Sequence, residues 1–295
     1  MATQMRTVLA LLALVTIVAG CDPTEPGQQE RPLPLEGGPY TVEAVAHGGT
    51  IAGRCRLVGD VHPARLKAWP GMGTEAGQDD ESVAVGSGQA LGGCFVSVAG
   101  IAHGRDWPVA MRAESRALAL AAVPGRYEPH LAWARVGTQV EVQSTLRMNI
   151  SVQMLLGPSV LANFVVAPGT TQSPAAAFLE KPGWVHVTED ARRAFNAWIL
   201  VSPHPYVEIT SAQATSDREA GAYRLDAVPP GDYEVVCRHE PMDRRETQVG
   251  HGFVRYETGP VTEIRRRVHV GPGATATVDF ELDGQPASSA ETPPR

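Results

Sequence analysis

Residues 217–240 read DREAGAYRLDAVPPGDYEVVCRHE, and this stretch decides the fold. Tyr223 and Leu225 alternate with polar residues before the Pro-Pro-Gly sequence, and Val235 and Cys237 continue the alternation after it. A period of two predicts strands with one buried face, and Pro and Gly favour a tight turn. The chain's 30 glycines and 24 prolines also suit a protein of strands and turns.

Residues 184–210 precede this stretch and read WVHVTEDARRAFNAWILVSPHPYVEIT. The apolar run Trp198–Val201 predicts a core strand, because strands buried on both faces are continuously apolar. Earlier, Thr138–Val142 alternates with a period of two and predicts a half-buried strand.

These stretches resemble a family of secreted bacterial proteins that join a cupredoxin-like β-sandwich to a transthyretin-like (carboxypeptidase-regulatory-like) β-sandwich. Residues 217–240 are similar to the family pattern TDxxGxFxLxDVPPGxYxLxVxHE, and residues 184–210 to VxVxCDVHPWMxAYIxVxDHPYFAVT. The resemblance covers roughly residues 49–282. It implies an all-β protein, with the cupredoxin-like sandwich at 45–203 followed by the transthyretin-like sandwich at 204–283.

The same resemblance locates the family's copper ligands. Aligning on His204-Pro205-Tyr206 places Glu189 at the ligand cysteine, Arg192 at a histidine and Phe195 at the methionine, and a second family segment places Arg147 at the other histidine. A type 1 copper site needs a thiolate, two imidazoles and a weak axial ligand. Arginine has no lone pair to give a metal. The sequence therefore predicts a degenerate site that holds no metal.

Two interpretations of the charges at these positions stay open. In the first, an ion pair between Glu189 and arginines such as Arg192 and Arg147 ties two loops together. In the second, which we favour, the loop is solvated and its charges matter little, since exposed pairs are worth about 0–1 kcal/mol.

The first 20 residues have one basic side chain and an apolar run of about a dozen residues, as a secretory signal peptide does. They end in Val-Ala-Gly before Cys21, which resembles a bacterial lipobox. The resemblance implies that Cys21 becomes the lipidated first residue of the mature chain. Residues 21–44 are predicted to be a flexible tether, and residues 284–295 a disordered tail.

The four cysteines suit an oxidising compartment. With Cys21 lipidated, an odd number remains, so at most one internal disulfide forms. Cys55 and Cys94 lie in two early strand-like segments, and we predict that they pair. Free buried thiols are the alternative.

Net charge and motifs exclude several functions. A formal net charge of −7 without a basic stripe gives no support for nucleic-acid binding. The common nucleophile, zinc and phosphate-loop signatures are absent from the sequence, so we expect neither catalysis nor a cofactor.

The sequence thus predicts a lipid-anchored, periplasm-facing protein of the cell envelope that binds an unidentified envelope protein or glycan. Two other functions stay open. One is a copper-binding or electron-transfer protein that uses His130, His186 and either Cys94 or Cys237 as ligands. The other is an accessory subunit of an enzyme that acts on envelope polysaccharides.

Overall fold

The computed structural model describes residues 39–61, 65–66, 78–112, 117–250 and 253–284. The predicted signal peptide, Cys21, most of the tether and the tail beyond residue 284 lie outside these ranges.

The regular secondary structure in the described part of the chain is nearly all β-strand, as predicted. Its strands are β1 Thr41–Val42, β2 Gly49–Val58, β3 Arg65–Leu66, β4 Gln78–Asp79, β5 Phe95–Ala99, β6 His103–Gly104, β7 Ala117–Val123, β8 Arg126–Glu128, β9 Leu131–Arg135, β10 Thr138–Ser144, β11 Ile150–Leu156, β12 Ser159–Val166, β13 Thr171–Gln172, β14 Phe178–Leu179, β15 Gly183–Glu189, β16 Asn196–Ser202, β17 Val207–Ile209, β18 Ala222–Val228, β19 Gly231–His239, β20 Arg244–Val249, β21 Phe253–Thr258, β22 Thr262–Val270, β23 Thr275–Thr277 and β24 Phe280–Asp283. Short 3₁₀ helices occupy Ser87–Gln89, Val109–Met111 and Ala175–Ala177. No helix in the described ranges is long and apolar enough to cross a membrane.

One unit, which we call the terminal sandwich, is built from both ends of the described chain. One sheet has the order β17-β5-β19-β22, and the other has β18-β2-β23 with β24 also paired to β2. Their inward residues, including Ile51, Val96, Tyr223, Leu225 and Phe280, form one buried core. The alternation read from residues 217–240 is confirmed, because the apolar set of β18 and β19 faces this core.

The other unit, the inner sandwich, comprises β7 to β16. One of its sheets has the order β13-β10-β7-β8, with β14 also paired to β10, and the other has β12-β11-β15-β16-β9. Val140 and Val142 point into the core between these sheets, as the alternation of β10 predicts. Residues Val187, Ile199 and Val201 meet them from the opposite sheet.

The two sandwiches pack against each other through aromatic side chains. Phe95 of the terminal sandwich lies 5.3 Å, ring centre to ring centre, from Trp184 of the inner one. Trp184 is in turn 5.1 Å from Trp198, and Leu200 and Val207 complete this cluster. Every residue of β16 is buried, because Ile199 and its alternate neighbours face the inner core while Trp198 and Leu200 face the other sandwich. This explains its continuous apolar sequence.

The pairing of the strands differs from the predicted division at residues 203 and 204. Strand β2 pairs with β18, β23 and β24, and β5 pairs with β17 and β19, although both early strands fall within the predicted cupredoxin-like region 45–203. The inner sandwich is therefore inserted between β5 and β17 of the terminal sandwich. Local alternation identifies a strand but not its partner, and here the partners lie on the far side of the insertion.

The end of the predicted tether also belongs to the fold. Thr41–Val42 pairs in parallel with His103–Gly104. The Tyr40 hydroxyl donates a hydrogen bond to the carbonyl of Arg105 at 2.7 Å, and the Tyr40 ring packs edge-on against Trp107. Residues 40–42, which the sequence analysis predicts to be part of a flexible tether over 21–44, therefore belong to the fold.

The inserted arrangement makes a testable prediction about fragments. Residues 204–284 alone lack β2 and β5, which are interior strands of the two sheets, so this fragment is expected to be unfolded. Residues 39–104 joined by a flexible linker to residues 204–284 restore both strands and are expected to fold. Amide dispersion in two-dimensional NMR spectra distinguishes the two cases. A dispersed spectrum from residues 204–284 alone would instead support the predicted domain boundary between residues 203 and 204.

Candidate functional site

The loop between β15 and β16, residues 190–195, carries the positions that the family resemblance assigns to copper. Glu189, at the place of the cysteine, is 2% exposed. Its carboxylate accepts hydrogen bonds from the backbone N–H of Arg192 at 2.5 Å and of Ala194 at 3.4 Å. Burial raises the pKa of the Glu189 carboxyl, while the backbone N–H groups of the loop oppose this rise. The Glu189 carboxylate therefore stabilises the loop by accepting hydrogen bonds from its backbone N–H groups.

Phe195, at the place of the methionine, is a core residue. It packs edge-on against Tyr127, with ring centres 6.1 Å apart, and both belong to the core of the inner sandwich. Tyr127 comes from the stretch GRYEPH, so two segments of the family resemblance meet at this contact. The phenyl ring fills the site and offers no ligand atom.

The structure agrees fully with neither of the two interpretations, the ion pair between two loops or the solvated loop. Arg147 is exposed on the bend between β10 and β11, while the Glu189 carboxylate faces its own loop amides. The structure therefore does not show the hypothesised ion pair between these two residues. The loop is not simply solvated either, because Glu189 and Phe195 are buried.

Strand β21 is hydrogen-bonded to the outer side of the β15–β16 loop. The backbone N–H of Tyr256 donates to the Arg192 carbonyl at 2.7 Å, and the Arg255 guanidinium donates to the carbonyls of Asp190 and Ala191 at 3.2 and 3.3 Å. No local pattern in the sequence indicates this role of the hairpin β20–β21, because the hairpin contacts the β15–β16 loop, which is more than 60 residues away.

A buried ion pair joins the two sandwiches beside the loop. His130 Nε2 lies 2.6 Å from Glu240 Oε1, and His130 Nδ1 donates to the Asn196 carbonyl at 2.9 Å. Burial opposes a charged His130, but the Glu240 carboxylate outweighs it and raises the His130 pKa to about 9. Burial likewise opposes a charged Glu240, but the charge of His130 prevails and lowers the Glu240 pKa.

Next to this pair, the buried Asn196 side chain links His186 to Arg244. The Asn196 amide is 2.6 Å from His186 Nε2, and when its nitrogen faces the ring, its oxygen accepts from Arg244. This orientation is assigned from the hydrogen bonds. It requires a neutral His186, in agreement with burial lowering the His186 pKa to about 4. Arg244 also contacts Asp80, with Nη1 3.2 Å from Oδ1 and both side chains buried.

The histidines proposed as alternative copper ligands are therefore occupied by protein partners. In the described ranges, the group of three or more His, Cys, Asp or Glu side chains close enough to share a metal is Cys55, Cys94 and Cys237. The alternative set of His130, His186 and a cysteine is not brought together. The spacing of the sequence gave no indication of the three-cysteine group.

The three cysteines are free thiols in the structure. The predicted partners Cys55 and Cys94 do meet, with sulfur atoms within 4.8 Å, but no bond joins them. The Cys55 and Cys237 sulfur atoms are 3.8 Å apart.

A cleft of about 170 Å³ opens between the sandwiches on the other side of His186. The ring of His186 stacks on Trp198 at 4.2 Å and forms the floor. Val160 of β12, Arg193 of the loop and Tyr256 of β21 form the walls. The loop between β15 and β16 thus forms one wall of a cleft.

Comparisons with known proteins give limited information. No family model matches the chain, and no curated protein is significantly similar to it. Among solved structures, it is weakly similar to an oxidised mutant of amicyanin, with 16% identity over 32% of this chain and 89% of that chain and a TM-score of 0.27. It is also weakly similar to a copper-containing nitrite reductase (NirK) from Thermus scotoductus SA-01, with 16% identity over 29% of this chain and 22% of that chain and a TM-score of 0.25. The similarity to cupredoxins thus covers about a third of the chain.

The buried histidines predict how stability depends on pH. An unfolded chain releases the His130 proton near pH 6.5, whereas the folded protein holds it to about pH 9. This contribution is full below pH 6.5 and is lost as the pH rises to 9, up to about 3 kcal/mol. His186 and His204 are held neutral by burial, with pKa values of about 4, so stability also falls as the pH drops from 6.5 toward 4.

The melting temperature is therefore expected to be highest near pH 6.5. Glu240→Gln should remove most of the decline between pH 6.5 and 9. His103→Gln, at an exposed histidine, should keep that decline and serves as the control. Calorimetric melting temperatures across this range measure the effect. A decline unchanged by Glu240→Gln would show that the His130–Glu240 pair does not cause it.

Proposed function

We propose that this protein is a non-catalytic binding module of the cell envelope that holds a partner in the cleft between its two sandwiches. The observation that carries the proposal is the use of the former metal loop. Glu189 and Phe195 are turned inward to fold the loop, and its outer side, with Arg193, forms a wall of the cleft. The loop thus supports a recognition surface instead of a metal.

The lining of the cleft suits recognition. Its floor is the stacked pair of His186 and Trp198, and its walls add a guanidinium and an exposed valine, Val160. Aromatic and Arg side chains at the centre of a patch contribute most to protein–protein binding. The cleft therefore combines an apolar floor with polar groups that fix orientation.

Strand β12 favours a protein partner over a glycan. Among the described strands it is at the edge of its sheet and pairs only with β11. Val160 and Val165 on this strand are 57% and 55% exposed. An extended peptide can add to such an edge through main-chain hydrogen bonds while a side chain enters a neighbouring pocket. We therefore assign the cleft to an extended segment of an envelope protein.

The proposal also places the protein on a membrane through a lipid on Cys21. Stable anchoring needs two acyl chains, which bacterial lipoproteins carry on this cysteine. The segment between Cys21 and Tyr40 spans at most about 60 Å when fully extended. This length would let the cleft reach partners well above the bilayer surface.

The lipid anchor is tested by Cys21→Ala. The variant is expected to move from the membrane fraction to the soluble fraction of the periplasm, because it loses the acyl chains that hold it. Fractionation and immunoblotting measure the change. Continued membrane association of the variant would contradict the lipid anchor but would leave the cleft proposal unaffected.

The cleft is tested by Val160→Glu, which places a charge at its rim. Binding to the envelope partner is expected to weaken at least tenfold, about 1.4 kcal/mol. Val109→Glu makes the same change at a valine that is 78% exposed on a separate 3₁₀ helix, and should bind like the unmodified protein.

The measurement is cross-linking in intact cells followed by quantification of the linked species. Equal cross-linking by both variants would contradict a role for the cleft. Recovery of polysaccharide as the species lost with Val160→Glu would replace the protein partner with a glycan.

A further inference from the structure

Three cysteines from distant parts of the chain meet in the core of the terminal sandwich. Cys55 lies on β2, Cys94 directly precedes β5, and Cys237 lies on β19. Each is completely buried, and the three sulfur atoms lie within 4.8 Å of one another. The strands that carry them belong to both sheets, so the sulfur atoms converge between the two layers.

We propose that Cys55, Cys94 and Cys237 bind one Cu(I) ion through three thiolate sulfur atoms. A single buried cysteine is ordinarily a small apolar residue. Three that converge on one point offer a set of soft ligands, which favour Cu(I) and Zn²⁺ over harder cations. This site is in the other sandwich from the degenerate copper positions, and it does not rest on the proposed binding role of the cleft.

The spacing of the sulfur atoms fits a three-coordinate metal. With metal–sulfur bonds of about 2.3 Å, three sulfur atoms at the corners of a triangle around the ion lie about 4.0 Å apart. The Cys55 and Cys237 sulfur atoms are 3.8 Å apart, and the remaining separations do not exceed 4.8 Å. Small side-chain rotations therefore suffice to bind the ion. A disulfide needs sulfur atoms about 2.05 Å apart.

The surroundings favour Cu(I) over zinc. Structural zinc sites are almost always four-coordinate. The nearby imidazole of His239 is not available as a fourth ligand, because its ring nitrogens lie 3.1 Å from the Gly92 carbonyl and 2.8 Å from the Glu240 carbonyl. The rest of the core around the sulfur atoms is apolar. A three-coordinate ion suits this closed site.

Cu(I) binds thiolates, so the three thiols lose their protons to solvent as the ion binds, with no change in the oxidation state of sulfur or copper.

Because the three sulfur atoms are completely buried, the ion must enter while the protein folds or opens locally. The experiment therefore loads copper during expression. The full chain carrying Cys21→Ser, which leaves only these three cysteines, is purified anaerobically from copper-supplemented cells. Elemental analysis then counts the copper, and X-ray absorption at the copper edge identifies its ligands.

The expected result is one copper per chain, in the Cu(I) state, with three sulfur neighbours and no imidazole. Cys55→Ala, Cys94→Ala and Cys237→Ala should each lower the retained copper at least tenfold. Val235→Ala removes methyl groups from the same core, two residues from Cys237 on the same strand, and should retain the ion.

Three results would overturn the proposal. The chain with three reduced thiols retains no copper, the copper is bound through nitrogen or oxygen, or all three cysteine variants retain copper. A disulfide between two of the three in protein isolated directly from the envelope would also overturn it. The X-ray absorption spectrum of the Cys21→Ser chain tests the three-sulfur site even if a cysteine variant fails to fold.

Discussion

Burial of both faces of β15 and β16 is the constraint on which the rest of the structure depends. One face of these strands fills the inner core, and the other packs its tryptophans against Phe95 of the terminal sandwich. Of the side chains on these strands, that of His186 is half-buried where it lines the cleft, and the rest are buried. His186 and Asn196 are polar, and each polar group removed from water must find a partner. Glu240, directly after β19, and Arg244 of β20 complete that network.

The same constraint explains how the β15–β16 loop keeps its shape with the residues it has. A buried carboxylate is costly unless it is well hydrogen-bonded. Glu189 meets this requirement with N–H groups of its own loop, and Phe195 anchors the end of the loop in the core. Strand β21 then holds the outside. The backbone geometry is thus fixed by hydrogen bonds and packing, and Arg193 of the loop lines the cleft.

The insertion of one sandwich into the other decides which distant residues meet. Cys55 and Cys237 are separated by 182 residues and yet lie in contact, because the strands that carry them belong to facing sheets of a unit that the chain leaves and re-enters. The link between His130 and Glu240 spans 110 residues for a related reason. Both contacts depend on which strands pair across the insertion, and no local sequence pattern indicates either contact.

The sequence by itself determined the all-β class, the alternation of β10, β18 and β19, and the doubly buried apolar run of β16. These features are local, since a period of two or the chemistry of one side chain is readable without knowing any partner. Only the tertiary structure decided that β2 and β5 belong with the last strands, that Glu189 is buried and bonded to its loop, and that three cysteines form one cluster. Strand pairing across an insertion is set by which apolar faces match in three dimensions, and alternation along the chain carries no record of that match.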